Sequence, residues 1–217
     1  NDNGYIACGE KNILHGYIIK IDSTGLIEWE KTYASGYSRY YYSIVAANDG
    51  GFVTSGVSKE YQLDTSRGLL TKVNDTGNVI WEQKHKIMNK YASIHSIVST
   101  SNGYAIVGNT DDTLLNNGVF SNVFFGRIDN VGNLIYSKVY YSDRNEDASC
   151  MKKTSDNNFI FTFQKGQLSL SDSTYANIFL IDSLGVIETQ KSISSPDEII
   201  FNSLLTINNG DIIFVGD

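Results

Sequence analysis

The chain has 217 residues, long enough to bury a sizeable core, and it is 41% hydrophobic and 12% aromatic, which excludes an intrinsically disordered protein. There are 17 lysines and arginines against 24 aspartates and glutamates, and the formal net charge of −7 argues against a general surface for nucleic acids or anionic membranes. No apolar stretch is long enough for a transmembrane helix, so the chain is not predicted to span a membrane.

Two short patterns alternate along the chain. The first is a strand that ends in a small residue, as in GYIACG at 4–9 and GFVTSG at 51–56. The last residues of these strands, hereafter the marker positions, are Gly9, Gly56, Gly108 and Gly216, with Phe163 at the fourth marker position, where glycine would be expected. The second pattern is a turn with Asp or Asn first and Gly three residues later: Asp22 and Gly25, Asn74 and Gly77, Asp129 and Gly132, Asp182 and Gly185.

The spacing of these patterns indicates a β-propeller. Successive markers lie 47 to 55 residues apart without helical periodicity, which is typical of propeller blades rather than of solenoid coils. Each turn residue precedes the next marker by 34 residues, whereas the distance from a marker to the next turn residue varies from 13 to 21. One connection in each repeat therefore changes in length while the rest is kept.

Taken in chain order, the second repeat reads as four strands, A to D: YSIVAA, GFVTSGV, GLLTKV and NVIWEQKH, with turn sequences between A and B and between C and D. The prediction is an all-β fold, a propeller of four-stranded antiparallel blades, with about four and a half blades in this chain. The blades are predicted at 1–33 (partial), 41–86, 93–140, 147–193 and 200–217 (partial). Because both ends fall inside a blade, the chain is expected to be part of a larger propeller.

The turn pattern has a local physical explanation. The Asp or Asn side chain can accept hydrogen bonds from backbone N–H groups two and three residues on, and the glycine supplies the positive φ that commonly follows a type I turn. Seven residues after the turn residue come Trp29, Trp81, Tyr136 and Thr189. These side chains are predicted to pack one blade against another, and an aromatic binding platform is the alternative for the two tryptophans.

The segments NDGGFVTSGV at 48–57 and LLTKVNDTGNVIWEQKH at 69–85 resemble repeats of secreted and surface proteins of Bacteroidetes. The resemblance covers nearly the whole chain and extends, more distantly, to quinoprotein-type propellers. It implies a propeller of seven or eight blades and a secreted or cell-surface location associated with the outer membrane. That family has no single activity, so the resemblance implies fold and location rather than chemistry.

The sequence offers no motif for a metal or a cofactor, and neither is predicted. His15, His85 and His95 lack metal-ligand spacing, and neither Cys8 nor Cys150 has the neighbouring cysteine expected beside a quinone. A zinc pair of His85 and His95 remains an alternative, as does calcium binding by the acidic segments 111–117 and 142–147. The two cysteines are predicted to be buried thiols rather than a disulfide.

Charged residues recur two positions before the turn residues. These residues, Lys20, Lys72 and Arg127, are predicted to make surface ion pairs with strand D glutamates such as Glu28 or Glu82. The turn aspartates themselves are predicted to be structural rather than catalytic. Tripeptides that begin Asp-Ser or Asp-Thr also match a motif that Bacteroidetes glycosylate on exported proteins, and they lie at 22–24, 112–114, 172–174 and 182–184.

The connections of variable length join strands B and C. In a propeller they share one face, here the loop face, with the D–A connections, and the A–B and C–D turns share the opposite turn face. Because loops on a rigid scaffold carry function and Tyr and Arg are frequent anchors, the loop face is the predicted binding face. Its predicted binding residues are Tyr37, Arg39, Tyr40, Tyr61, Asp64, Arg67, Asp111, Asp112, Phe120 and Tyr175.

The leading interpretation is a non-enzymatic, secreted or surface scaffold that binds a protein or glycan partner through the loop face, with no nucleic-acid partner. One alternative is the propeller domain of a carbohydrate-active enzyme, which two carboxylates from different blades facing the centre would favour. The other alternative is a docking subunit of an outer-membrane, cell-surface assembly.

Overall fold

The computed structural model describes residues 3–34, 38–60, 65–112, 120–142, 144–166, 174–195, 199–206 and 211–216. These residues form seventeen β-strands and no helix, and every pairing between neighbouring strands is antiparallel. The predicted all-β fold with four-stranded antiparallel sheets is confirmed. Within the described part of the chain, no helix is long and apolar enough to cross a membrane.

The strands form five sheets that follow one another in the sequence. The first sheet contains β1 (Tyr5–Lys11), β2 (His15–Ile21) and β3 (Ile27–Tyr33). The second contains β4 (Ser38–Ala46), β5 (Phe52–Glu60), β6 (Thr65–Val73) and β7 (Val79–His85). The third contains β8 (Ala92–Thr100), β9 (Gly103–Asp112), β10 (Phe120–Ile128) and β11 (Leu134–Tyr140). The fourth contains β12 (Glu146–Lys153), β13 (Phe159–Lys165), β14 (Thr174–Ile181) and β15 (Ile187–Ser195), and the fifth β16 (Phe201–Thr206) and β17 (Ile212–Gly216).

The sheets are arranged like propeller blades. The first strands of the second to fifth sheets, here the inner strands β4, β8, β12 and β16, contact one another in succession. The hydrophobic core is divided between neighbouring sheets, with one cluster between each pair from the first to the fourth. The cluster between the third and fourth sheets is rich in phenylalanine and includes Phe125, Phe159 and Phe161. The first four sheets are thus held together mainly by burial against their neighbours.

A β-bulge in the inner strands explains the marker glycines. In β4, Tyr41 pairs with Gly56 and Ser43 with Ser55, so Tyr42 is the extra residue of the bulge. The bulge brings the inner-strand backbone so close that a Cβ on Gly56 would lie 1.8 Å from the carbonyl oxygen of Tyr40. Glycine is therefore required on the facing strand.

The same bulge recurs in the later sheets. In β8 the extra residue is His95, and in β16 it is Asn202. In the fourth sheet, where Phe163 occupies the marker position, the register shift instead extends over two residues of β12, Ser149 and Cys150. Departure from the sequence pattern at Phe163 thus coincides with a local change in the bulge.

The four predicted C–D turns form with one correction. In each turn the side-chain oxygen of the first residue accepts hydrogen bonds from the N–H groups two and four residues on, not two and three. The N–H of the glycine, three residues on, instead donates to the backbone carbonyl of the turn residue, as in a type I turn. All four turn glycines have the expected positive φ, between 74° and 91°.

The C–D turns of the second, third and fourth sheets are also bonded to the preceding sheet. Trp29 packs on the next turn and donates from Nε1 to the carbonyl of Asp75, 2.8 Å away, as the prediction of packing between blades requires. Four residues after each aromatic position, a further side chain bonds the carbonyl of the turn glycine in the next sheet. These bonds, here the inter-sheet latches, join Tyr33 to Gly77 (2.8 Å), His85 to Gly132 (2.9 Å) and Tyr140 to Gly185 (2.8 Å).

The His85 latch gives stability a pH dependence. Burial lowers the pKa of His85, with the bond to the Gly132 carbonyl and nearby Asp129 opposing this effect. In the unfolded chain a histidine has a pKa of about 6.5 and binds a proton more readily than His85 does in the folded protein. The stabilisation of the fold by neutral His85 is therefore fully present above that pH and decreases as the pH falls towards the folded-state pKa.

We expect His85→Gln, which can still donate to Gly132, to lose less stability than the wild type when the pH is lowered from about 7.5 to 5. Urea unfolding at several pH values measures this difference. His95 adds a dependence of the same sign, because burial also lowers its pKa. His15→Gln, in β2, is the control, and equal pH slopes for His85→Gln and the wild type would contradict the assignment.

The predicted ion pairs are partly wrong. Lys20 pairs with Glu28 as expected, but Lys72 pairs with Asp49, and the Glu82 carboxylate is bound by Arg39. Lys20 and Lys72 are both buried rather than on the surface, and the partner of Lys72, Asp49, belongs to the A–B turn of the same sheet. Arg127 donates to the Thr100 hydroxyl (3.1 Å) instead of a glutamate.

Candidate functional site

A pocket of about 490 Å³ lies on the loop face and is lined by residues from the second, third and fourth sheets. We call it the inner pocket, because the bulges of two inner strands place Tyr42 and His95 in its wall. Their rings are stacked, with centroids 5.0 Å apart and an interplanar angle of 29°. The bulges that require the marker glycines therefore also position an aromatic pair in this loop-face pocket.

Polar groups surround the aromatic pair. The Ser93 hydroxyl lies 3.0 Å from His95 Nε2, and Asp147 Oδ1 lies 3.9 Å from the same nitrogen. Because both neighbours share Nε2, the three residues do not form the relay of a nucleophilic triad, in which Ser and Asp occupy opposite ring nitrogens. Lys59 and Asp111 line the wall from neighbouring sheets.

The floor of the inner pocket is fixed by hydrogen bonds between sheets. Asn109 donates to the carbonyl of Glu146 (2.5 Å) and to the Ser121 hydroxyl (3.0 Å), and it accepts from the N–H of Ala148 (3.0 Å). The buried Glu146 carboxylate accepts from the N–H of Val123. These groups serve the structure, which leaves the wall residues for a ligand.

The surroundings of the wall residues determine the protonation states of their side chains. Desolvation lowers the pKa of His95, with Asp147 opposing, so the imidazole is neutral at pH 7. Desolvation, with smaller effects from Tyr40, Asp147 and Glu10, raises the pKa of Tyr42 to about 12, so its hydroxyl is a donor at neutral pH. Desolvation also raises the pKa of Asp111, against the effect of Lys90. The wall thus offers neutral aromatic surface beside hydrogen-bonding groups of both kinds.

The predicted binding residues are only partly brought together. Asp111 lines the inner pocket, and the Tyr40 ring lies 5.5 Å from the Lys59 ammonium that also lines it. Arg39 is engaged with Glu82, at 2.5 and 3.0 Å, and Tyr175 stacks with Arg144, 5.6 Å from its ring.

Of the remaining predicted binding residues, three lie in strands and three lie outside the described residues. Arg67 lies in β6 opposite Ser58, and the backbones of Asp112 and Phe120 pair where β9 and β10 meet the loop. Tyr37, Tyr61 and Asp64 lie outside the described residues.

The two histidines of the alternative zinc pair have separate partners in the structure. His85 bonds the carbonyl of Gly132, and His95 bonds the hydroxyl of Ser93. Among the residues with described positions, no group of three or more His, Cys, Asp or Glu is arranged to hold a metal ion. Cys8 and Cys150 are free thiols, as predicted, but they are half-buried rather than buried. Desolvation raises the pKa of Cys8 to about 12, which keeps this thiol protonated and unreactive at neutral pH.

Sequence reasoning did not include Tyr42, His95 and Asp147 among the predicted binding residues, and it considered His95 and the segment that contains Asp147 only as alternatives for metal binding. Glycine inside a strand is a known sign of a bulge, so the markers at Gly56 and Gly108 could have directed attention to the strand that faces them. Comparison of the chain with protein-family models and with characterised proteins found no match.

Proposed function

We propose that the chain is a non-enzymatic scaffold that binds a glycan in the inner pocket of the loop face. The observation that carries this proposal is the stacked pair of Tyr42 and His95 surrounded by polar side chains from three sheets. A sugar ring has an apolar face of C–H groups, which packs on aromatic rings, and a rim of hydroxyls that both donate and accept. Asp111, Asp147 and Lys59 supply those acceptors and donors.

The location implied by the Bacteroidetes-type resemblance supports this function, because glycans are abundant at cell surfaces. We propose a secreted or outer-membrane-associated protein accordingly. Cell fractionation of the source organism, followed by immunodetection, tests the location, and a purely cytoplasmic signal would contradict it.

Tyr42→Ala should lower the affinity for a bound glycan by at least about tenfold, because truncating an aromatic anchor removes most of its contact area. A glycan array on the intact chain identifies the ligand, and isothermal titration measures the change. Tyr5→Ala, which removes another exposed tyrosine at a strand end close to a C–D turn, is the matched control. Equal affinities for the two variants would place the binding site elsewhere.

A glycoside-cleaving enzyme is the second possibility, and one observation favours it. Asp111 and Asp147 come from different sheets and line one pocket, and desolvation raises the pKa of the half-buried Asp111 carboxyl, whereas the Asp147 side chain is 72% exposed. A carboxyl with a raised pKa suits a general acid, and an exposed carboxylate in the same pocket suits its base partner. The test is the release of reducing sugar from a bound glycan. Activity in the wild type that is lost in Asp147→Asn, while the variant still binds the glycan, would establish the enzyme rather than the non-enzymatic scaffold.

A further inference from the structure

A second, smaller cavity of about 230 Å³ lies on the loop face beside the third sheet. Met88, Asn122, Val139 and Tyr141 are among its lining residues, and we call it the Met88 cavity. It shares Asp111 with the inner pocket, so the two cavities are neighbours. Its wall is mainly apolar, unlike that of the inner pocket.

One buried amide in the Met88 cavity lacks a partner. Asn122 is fully buried, and its Oδ1 accepts a hydrogen bond from the N–H of Ser142 at 2.9 Å. That bond fixes the orientation of the amide, since an N–H must face the oxygen. The Nδ2 group then has no hydrogen-bond partner within the described structure. An unsatisfied buried donor is costly, so a ligand acceptor at this point would be bound favourably.

The mouth of the cavity is apolar and held in an unusual backbone conformation. Met88 and Asn89 have φ of 50° and 64° in a tight turn closed by a bond from the N–H of Lys90 to the carbonyl of Ile87 (2.9 Å). Such a conformation is uncommon for methionine, and it is retained where the surroundings impose it, often at binding sites. Met88 and Tyr141 are both largely exposed, and the Tyr141 hydroxyl lies 3.2 Å from the Met88 sulfur.

We propose that the Met88 cavity binds an extended segment of a protein partner, taking one apolar side chain into the cavity and the adjacent backbone carbonyl onto Asn122 Nδ2. An extended peptide presents an apolar side chain next to a carbonyl acceptor, which is the combination that this cavity offers. Most of the cavity wall is apolar, including Val139 and Met88, so most hydroxyls of a sugar would face carbon rather than a hydrogen-bonding group. Methionine suits the role because its flexible thioether adapts to different apolar side chains.

The direct test is NMR of the ¹⁵N-labelled intact chain titrated with blocked tripeptides. Acetyl-Gly-Leu-Gly-amide should shift the Asn122 side-chain NH₂ resonances saturably, and acetyl-Gly-Ser-Gly-amide should bind at least about tenfold more weakly. The Asn122→Asp spectrum, in which those resonances are missing, assigns them. No shift with the leucine peptide, or equal affinities for both peptides, would overturn the proposal.

Variants separate the cavity from the rest of the surface. Met88→Ser changes a side chain that is 62% exposed, so the fold should tolerate it, and it should weaken the leucine peptide by at least about threefold. Leu184→Ser, at a residue that is 64% exposed in a C–D turn, is the matched control and should bind normally.

Asn122→Asp keeps the acceptor for Ser142 and removes the donor, so it should weaken binding about tenfold. Wild-type affinity in both Met88→Ser and Asn122→Asp would overturn the proposal. Tyr42→Ala should bind the peptide normally even though it loses the glycan, so failure of one proposal is distinguishable from failure of the other.

Discussion

Gly108→Ala is expected to destabilise the protein by at least about 3 kcal/mol, at the upper end of the cost of overpacking. The added Cβ would lie 1.9 Å from the carbonyl oxygen of Ser93 and 2.9 Å from the Cα of Ile94, which are both backbone atoms of the bulged inner strand. Backbone cannot move aside as a flexible side chain can, so the bulge or the strand pairing must break. For a domain of this size the melting temperature should fall by roughly 6–12 °C.

Gly9→Ala is the matched control, because Gly9 occupies the same marker position in β1. Within the described residues β1 pairs only with β2, and a Cβ on Gly9 would meet nothing within 4 Å. Its effect should be about zero or slightly stabilising, since alanine has less conformational freedom to lose than glycine. Calorimetry measures the stability of both variants. Similar losses of stability in the two would show that the bulge does not explain the glycines at the marker positions.

Gly77→Val should be the second severe change. Gly77 has φ of 76°, which strains a β-branched residue by about 1–3 kcal/mol. The Cβ would also approach Cζ3 of Trp29 to 2.8 Å and so disturb the contact between the first and second sheets. Urea unfolding should show a larger loss for this variant than for Asn78→Ala, which keeps the backbone N–H that donates to the Asn74 side chain.

Gly25→Val divides that effect into its two causes. Gly25 has the same backbone conformation, with φ of 91°, but a Cβ there has open space around it. Gly25→Val should therefore lose stability through backbone strain alone. The additional loss of stability in Gly77→Val then measures the disturbed contact with Trp29. If Gly25→Val were as harmful as Gly77→Val, packing between sheets would contribute nothing at this position.

Much of the fold could be predicted because short sequence patterns specify its turns and strands. Asp22 and Gly25 specify their turn through bonds within five residues, and the same pattern recurs at Asn74 and Gly77. The repeat spacing then implies four-stranded sheets without knowledge of any long-range contact. Packing of Trp29 between sheets followed from its constant distance to the turn.

The inner pocket could not be predicted because it depends on contacts between distant residues. His95 and Asp147 lie 52 positions apart and meet only when two inner strands adjoin. Lys72 bonds Asp49 of the A–B turn rather than Glu82, which strand alternation alone does not indicate. The Tyr and Arg content of the loops drew attention to residues such as Arg39, whose guanidinium is used within its own sheet.

The inter-sheet latches make the chain a linear series of units whose stability depends on nearest neighbours. The third sheet is covered by hydrophobic clusters on both sides, whereas β15 leaves nearly all of its residues exposed, with Thr189 and Ile193 at the positions where Trp29 and Tyr33 act in the first sheet. Local opening should therefore begin in the exposed strands and reach the buried third sheet last. Amide hydrogens of β9 and β10 should exchange most slowly with solvent, and those of β1, β16 and β17 most rapidly.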